Sequence, residues 1–171
     1  MAPVVDLIFE HRPDEQAALI EVVRNLIEAD PNLKLDTTSK TLLRFAPVEW
    51  YELAELMLGQ GWTQSGQMLL FECDNRPNHL KVVLYIGSGH DETRRKLFSI
   101  AQENTPLFRT QSRNLNQKRN SIFSKKLLQR KDYEESQTED LKMKTEKVWK
   151  EFVESDLPKI MNTIRENIVF C

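Results

Sequence analysis

All five glycines of this 171-residue chain, Gly59, Gly61, Gly66, Gly87 and Gly89, fall in its middle third. Glycine supplies the positive φ angles and close backbone approaches that tight turns need. Their clustering puts a turn-rich sheet in the middle and leaves the flanks to helices. The same region carries two unbroken apolar runs, 68–71 and 82–86, on either side of Asp74, Asn75, Arg76, Pro77 and Asn78. Those runs should pair as an antiparallel hairpin, and their continuity predicts cover on both faces.

The flanks read as helices with identifiable ends. Pro13 suits a first helical turn, with Asp14 and Glu15 on the positive end of the dipole, and Leu19, Val22, Val23, Leu26 and Ile27 repeat at helical spacing until Asp30 and Pro31. Residues 41–45 read as a short strand, after which Pro47 opens a second helix whose Trp50, Leu53, Ala54 and Met57 form an apolar stripe ending at Gly59. Residues 91–103 predict a third helix, acidic at its start, that buries Leu97, Phe98, Ile100 and Ala101.

Residues 114–131 fit two descriptions. One is a helix on which Arg119 and Lys126 fall inside the apolar arc of Leu115, Ile122, Phe123 and Leu127; the other is a strand over 121–128. Further on, Leu141, Thr145, Val148, Trp149 and Phe152 share a helical face, and Asp156 suits the cap of a last helix carrying Ile160, Met161, Ile164 and Ile168. There is no internal repeat and no low-complexity linker. The expectation is a single α+β domain over 1–171, with a small, mainly antiparallel sheet and helices at the N- and C-terminal ends.

That length suits one domain with a sizeable core. No apolar run approaches the ~20 residues of a membrane-spanning helix, and the first ten residues lack the basic start and small-residue site of an export signal. Cys73 and Cys171 form no close-spaced pair, so no disulfide framework is expected. These features predict a cytoplasmic protein with no membrane partner.

Charge is distributed unevenly. Residues 104–131 hold eight basic side chains, Arg109, Arg113, Lys118, Arg119, Lys125, Lys126, Arg130 and Lys131, and no acidic one. Set against a total of -2, those eight charges leave -10 for the rest of the chain. A segregated basic stretch among Gln, Asn and Ser donors is what phosphate-backbone binding requires, because neutralised phosphates release counterions while the polar side chains fix register. The alternatives are a solvated face or a docking surface for an acidic protein. Phe108 and Phe123 are the only aromatics in that stretch, which argues against a stacking platform for single strands.

Other chemistry-bearing groups are sparse. Gly87, Ser88 and Gly89 precede a helix as a phosphate-cradling loop would, but a third glycine and a Walker lysine are missing, and Asp91 and Glu92 stand where the phosphate should sit. The segment reads as a strand-to-helix turn. Cys73, His79 and His90 match no zinc spacing and read as a buried thiol and two turn histidines. Ser88 beside His90 lacks a triad arrangement, Glu10, His11 and Asp14 read as helix-entry capping, and Trp50, Trp62 and Trp149 fit core or groove positions. No cofactor or metal is expected.

Several phrases carry a resemblance: 45–50 (FAPVEW), 69–75 (LLFECDN), 80–98 (LKVVLYIGSGHDETRRKLF), 148–160 (VWKEFVESDLPKI), and 121–128 (SIFSKKLL) followed by Asp132, Tyr133 and Glu134. Together they resemble the C-terminal region of PD-(D/E)XK nuclease family proteins of bacteria and phages. Catalysis in that family needs an Asp on one strand and Asp/Glu-x-Lys on the next, to hold magnesium and activate water. Here Pro13-Asp14 precedes a helix and Asp140, Leu141 and Lys142 lie in a helical stretch, so no catalytic residue carries over. The resemblance implies a non-catalytic, nucleic-acid-binding or accessory module. A protein-interaction or inhibitory subunit of a defence or phage system is the alternative. A magnesium-dependent nuclease using Glu72, Asp74 and Lys81 is the third.

Overall fold

A computed structural model describes residues 2–39, 41–116 and 118–168, with side chains from Asp14 onward. Cys171 and the side chains of Glu10 and His11 lie outside the described residues. The α+β expectation holds. Helix α1 (Ala2–Ala29) leads into five strands, β1 (Leu33–Asp36), β2 (Arg44–Pro47), β3 (Leu69–Arg76), β4 (His79–Ile86) and β5 (Asn120–Leu128), all antiparallel and ordered β1-β2-β3-β4-β5. Helices α2 (Val48–Tyr51) and α3 (Asp91–Glu103) interrupt the strands, and α4 (Arg130–Glu135), α5 (Thr138–Glu151) and α6 (Leu157–Ile168) follow them. Among the described residues no helix is long and apolar enough to cross a membrane.

One face of the sheet carries the core. Because side chains alternate along a strand and paired residues share a face, Phe45, Phe71, Leu84 and Phe123 line up across β2 to β5 on one side. Phe71 stacks on Phe45 at 5.2 Å and on Trp50 at 5.6 Å, and meets Phe152 edge-on at 5.4 Å. Trp149 of α5 closes the group against Phe45 and Phe152. The C-terminal helical segment therefore covers this face through the stripe that its 3.6-residue spacing predicts.

Several elements differ from the sequence reading, each for a local reason. Helix α1 starts at Ala2 instead of Pro13, so Pro13 lies in the helix interior and removes one backbone hydrogen bond there. The second helix stops at Tyr51 and resumes only as a 3-10 turn (Ala54–Leu56). The chain must turn back there so that the Leu56 carbonyl accepts from Met68 N–H and Gly59 can bridge Gly89. A Cβ on Gly89 would meet the Leu58 carbonyl oxygen at 2.5 Å, which is why a glycine is required at that crossing.

Strand β2 runs later than 41–45, and β1 beside it, with Leu33 and Leu35 as its only apolar residues, alternates too briefly to mark a strand. The hairpin turn is tighter than 74–78 suggests, because Asp74 and Asn75 belong to β3: Asp74 faces His79 and Lys81 on β4, and Asn75 exchanges hydrogen bonds with Gln16 of α1. Asp156 caps nothing. The chain passes from α5 to α6 through a continuous π-helical turn (Phe152–Asp156), leaving no orphaned N–H groups to cap, and its carboxylate accepts from Lys125 Nζ at 2.7 Å.

Buried Asp36 ties β1 to the segments over its end. It accepts from Tyr51 Oη and Ser65 Oγ, both at 2.6 Å, and from the Thr37 N–H at 2.8 Å. Burial pushes its carboxyl up, but these hydrogen bonds outweigh burial and leave it below the ordinary aspartate range.

Candidate nucleic-acid interface

The strand alternative for 114–131 is the one adopted, and it separates the eight basic residues. Arg109, Arg113, Lys118 and Arg119 occupy the loop between α3 and β5, Lys125 and Lys126 lie on β5, and Arg130 and Lys131 open α4. Three are engaged by carboxylates: Arg119 by Glu72 at 3.2 Å, Lys125 by Asp156, and Arg130 by Glu134 at 3.0 Å. Arg109, Arg113, Lys118, Lys126 and Lys131 are exposed, with no carboxylate within ion-pair distance among the described residues.

A buried arginine holds this loop in place. Arg94 on α3, only 5% exposed, donates Nε–H to the Gly87 carbonyl at 2.8 Å and Nη2–H to the Asn116 carbonyl at 2.6 Å, with the Asn120 side-chain oxygen at 3.4 Å. Asn120 Oδ1 in turn accepts from the Asn116 N–H. The guanidinium fork thus ties the end of β4, the loop and the start of β5 together without a carboxylate partner among these contacts. Burial lowers its pKa and the charge of Asp91 opposes that fall.

The second face of the sheet is polar and carries cations that no reading of the basic stretch alone brings out. By strand register, Lys34, Arg44, Arg76, Lys81 and Lys126 share this face, and Arg119 joins them one residue ahead of β5. Three carboxylates accompany these six cations: Asp36, Glu72 and Asp74. The result is an excess of positive charge on a chain whose total is -2. Lys81 and Lys126 are direct cross-strand partners, an arrangement in which like charges repel.

Aromatic rings accompany the cations. The Arg119 guanidinium lies 4.3 Å from the Tyr85 ring, Arg44 lies 5.0 Å from Trp62, and Lys34 lies 4.5 Å from Tyr51. Phe108 and Phe123, the aromatics inside the basic stretch, are instead buried in the core. Tyr85 precedes the basic stretch by many residues and meets Arg119 only through the pairing of β4 with β5, whereas Trp62, which fits a core or groove position by sequence, packs on Arg44 from the segment ahead of β3. The signal that could have found Tyr85 is the period-two alternation of β4, which puts Lys81, Val83 and Tyr85 on one face.

The carboxylates of this face do not suit a magnesium ion. Glu72 and Asp74 sit two residues apart on the same face of β3, with Lys81 Nζ 3.8 Å from Asp74. Yet Glu72 is held by Arg44 and Arg119, while Asp74 is held by Arg76 and lies 3.0 Å from His79 Nε2. Burial pushes the Asp74 carboxyl up, and the hydrogen bonds from His79 and Arg76 more than offset this, leaving it low. A divalent cation would have to displace several positive groups to reach either residue. Among the described residues, no three His, Cys, Asp or Glu side chains cluster as a metal site would require. Cys73 is buried on the core side, His79 pairs with Asp74, and His90 Nδ1 lies by Thr93 Oγ1.

The glycine-serine turn is likewise closed to a phosphate. Gly87 N–H donates to the Met68 carbonyl and His90 N–H to the Leu58 carbonyl, so these amides are used within the fold, and a Cβ on Gly87 would overlap the Trp62 ring. Ser88 Oγ donates to the Lys118 carbonyl.

Beside the outer edge of β5, the last strand of the sheet, lies a cleft of about 510 Å³ lined by Leu107, Arg109, Gln111, Ser121, Phe123 and Asp156 among others. No protein-family model, curated protein or solved structure matches the chain.

Proposed function

We propose that this protein is a non-catalytic nucleic-acid-binding module that grips the phosphate backbone with the polar face of its sheet and the loop leading into β5. The carrying observation is the excess of cations on that face, with Lys81 and Lys126 set directly opposite one another. A like-charged pair facing across two strands, near the end of the β4–β5 pairing, is a liability for folding, and an anionic ligand relieves it. Among the described residues only Lys81 of the two lies near a carboxylate, that of Asp74 at 3.8 Å. Arg109, Arg113 and Lys118 extend the same positive surface along the loop. Phosphate contacts of this kind position a nucleic acid without reading its sequence. The ion-paired Glu72 and Asp74 favour binding over hydrolysis, which agrees with an accessory part resembling the C-terminal region of PD-(D/E)XK nucleases.

Charge reversal tests the proposal. The double variant Lys81→Glu, Lys126→Glu should weaken binding of a labelled DNA by roughly 100-fold at low salt and make the dependence of log affinity on log salt shallower by about 2. The variant loses the Lys81–Asp74 ion pair and keeps a like-charged cross-strand pair, so its melting temperature should fall modestly, and circular dichroism at the assay temperature checks that it is folded. Wild-type affinity in a folded double variant would remove the sheet face from the interface.

A second reading, a protein-docking subunit, is favoured by the cleft at the β5 edge. An edge strand with a groove beside it can accept an extended segment as an added strand. That reading gains if the charge-reversal variant leaves nucleic-acid binding unchanged.

A further inference from the structure

One acidic group on the polar face sits where a phosphate could also sit. The Glu72 carboxylate accepts from Arg44 Nε at 3.2 Å and from Arg119 Nη1 at 3.2 and 3.4 Å. Arg44 comes from β2 on one side of β3, and Arg119 reaches over β4 from the other, so two guanidinium groups converge on one anion. Behind each lies an aromatic ring, Trp62 for Arg44 and Tyr85 for Arg119. A ring face steadies a guanidinium without consuming its N–H donors, which remain directed at the anion. The planar donor fork of arginine matches a phosphate as well as it matches a carboxylate. The side chains of Arg44 and Glu72 are mostly covered, at 13% and 14% exposure, whereas that of Arg119 is 43% exposed. One wall of the clamp is therefore open to an incoming ligand.

We infer that the row Trp62, Arg44, Glu72, Arg119, Tyr85 is a phosphate-binding site that the protein fills with its own carboxylate. This rests on the nucleic-acid reading above and adds a regulation to it: Glu72 competes with a backbone phosphate for Arg119 and so limits affinity. In its mostly covered setting the charge of Glu72 is screened less than in bulk water. Removing that charge leaves two guanidinium groups facing a position that calls for an anion.

Glu72→Gln keeps the size of the side chain and an acceptor oxygen while removing the charge. Measured by anisotropy with a labelled DNA oligonucleotide, it should bind about tenfold more tightly than wild type, with a salt slope steeper by about 1. Arg119→Gln should lose a few-fold in the wild-type background and abolish the whole gain in the Glu72→Gln background, a coupling that a purely structural tie would not produce. Glu72→Asp, too short to span both arginines, should give a smaller gain and serves if Glu72→Gln does not fold. Unchanged or weaker binding by whichever variant is folded, while wild type binds, overturns the clamp alone. Absence of binding by wild type and variants alike at low salt overturns the nucleic-acid reading and the clamp with it.

Discussion

Replacing Phe71 by alanine should destabilise the protein by about 3–5 kcal/mol, lowering the melting temperature by on the order of 10 °C. Phe71 is fully buried at the centre of the core face and touches four rings: Phe45 and Trp50 by stacking, Phe123 and Phe152 by their edges. Truncation removes the transfer free energy of the ring and leaves a hole between rigid neighbours that close poorly over it. Aromatic pairs add about 0.5–1.5 kcal/mol each beyond the area they bury. Since a domain's whole stability is about 5–15 kcal/mol, this one change consumes a large share of it. Denaturant titration checks the value, and a loss under about 1 kcal/mol would show that the ring cluster repacks freely, against the close-packed core described here.

Arg94→Met should destabilise the protein by about 2–4 kcal/mol and weaken nucleic-acid binding several-fold, although Arg94 is too buried to meet a ligand. The reason is local. Its two strong hydrogen bonds go to the Gly87 and Asn116 carbonyls, and removing the guanidinium leaves those oxygens without a partner. A charge-assisted bond is worth about 1.5–3 kcal/mol, part of which is offset because the charge no longer has to be buried. The loop carrying Arg113, Lys118 and Arg119 then loses its anchor. Hydrogen exchange over 112–120 should rise in the variant while that of α5 and α6 stays slow. Arg94→Lys should fail in the same way, since an ammonium lacks the fork that reaches both carbonyls. Full rescue by lysine would show that charge alone matters at this position.

Legibility in the sequence followed the strength of local signals. Helix α3 begins and ends where its acidic start and apolar spacing place it, and the β3–β4 hairpin follows from two apolar runs about a turn. Strand β5 was ambiguous for a physical reason. Register irregularities between Leu80 and Lys81 and between Leu84 and Tyr85 on β4 break the β5 alternation, so that Ile122 and Phe123, and Leu127 and Leu128, are consecutive buried residues. Bulged strands lose the period of two, and the same residues then fit a helical arc. Asp156 misled because a capping residue and a carboxylate inside a continuous helical turn look alike until the turn is seen. The basic residues of 104–131 were visible by sign alone. Their companions Lys34, Arg44, Arg76 and Lys81, and the ring of Tyr85, were not, because they join the face through cross-strand pairing between distant segments, and Trp62 reaches Arg44 from a segment outside the strands. The buried arginine that sets the loop was equally silent, standing in the run Arg94, Arg95, Lys96 with nothing to distinguish it from its neighbours.

The central claim is that the polar sheet face and its loop hold a phosphate backbone by charge. Fluorescence anisotropy of a labelled random DNA duplex, titrated with the protein at several salt concentrations without magnesium, tests it most directly. Each neutralised phosphate contributes about -0.9 to the slope of log affinity against log salt, so contacts from Arg109, Arg113, Lys118, Lys81 and Lys126 predict a slope of roughly -4 or steeper. No binding at low salt, or binding with a slope near zero, would contradict the account.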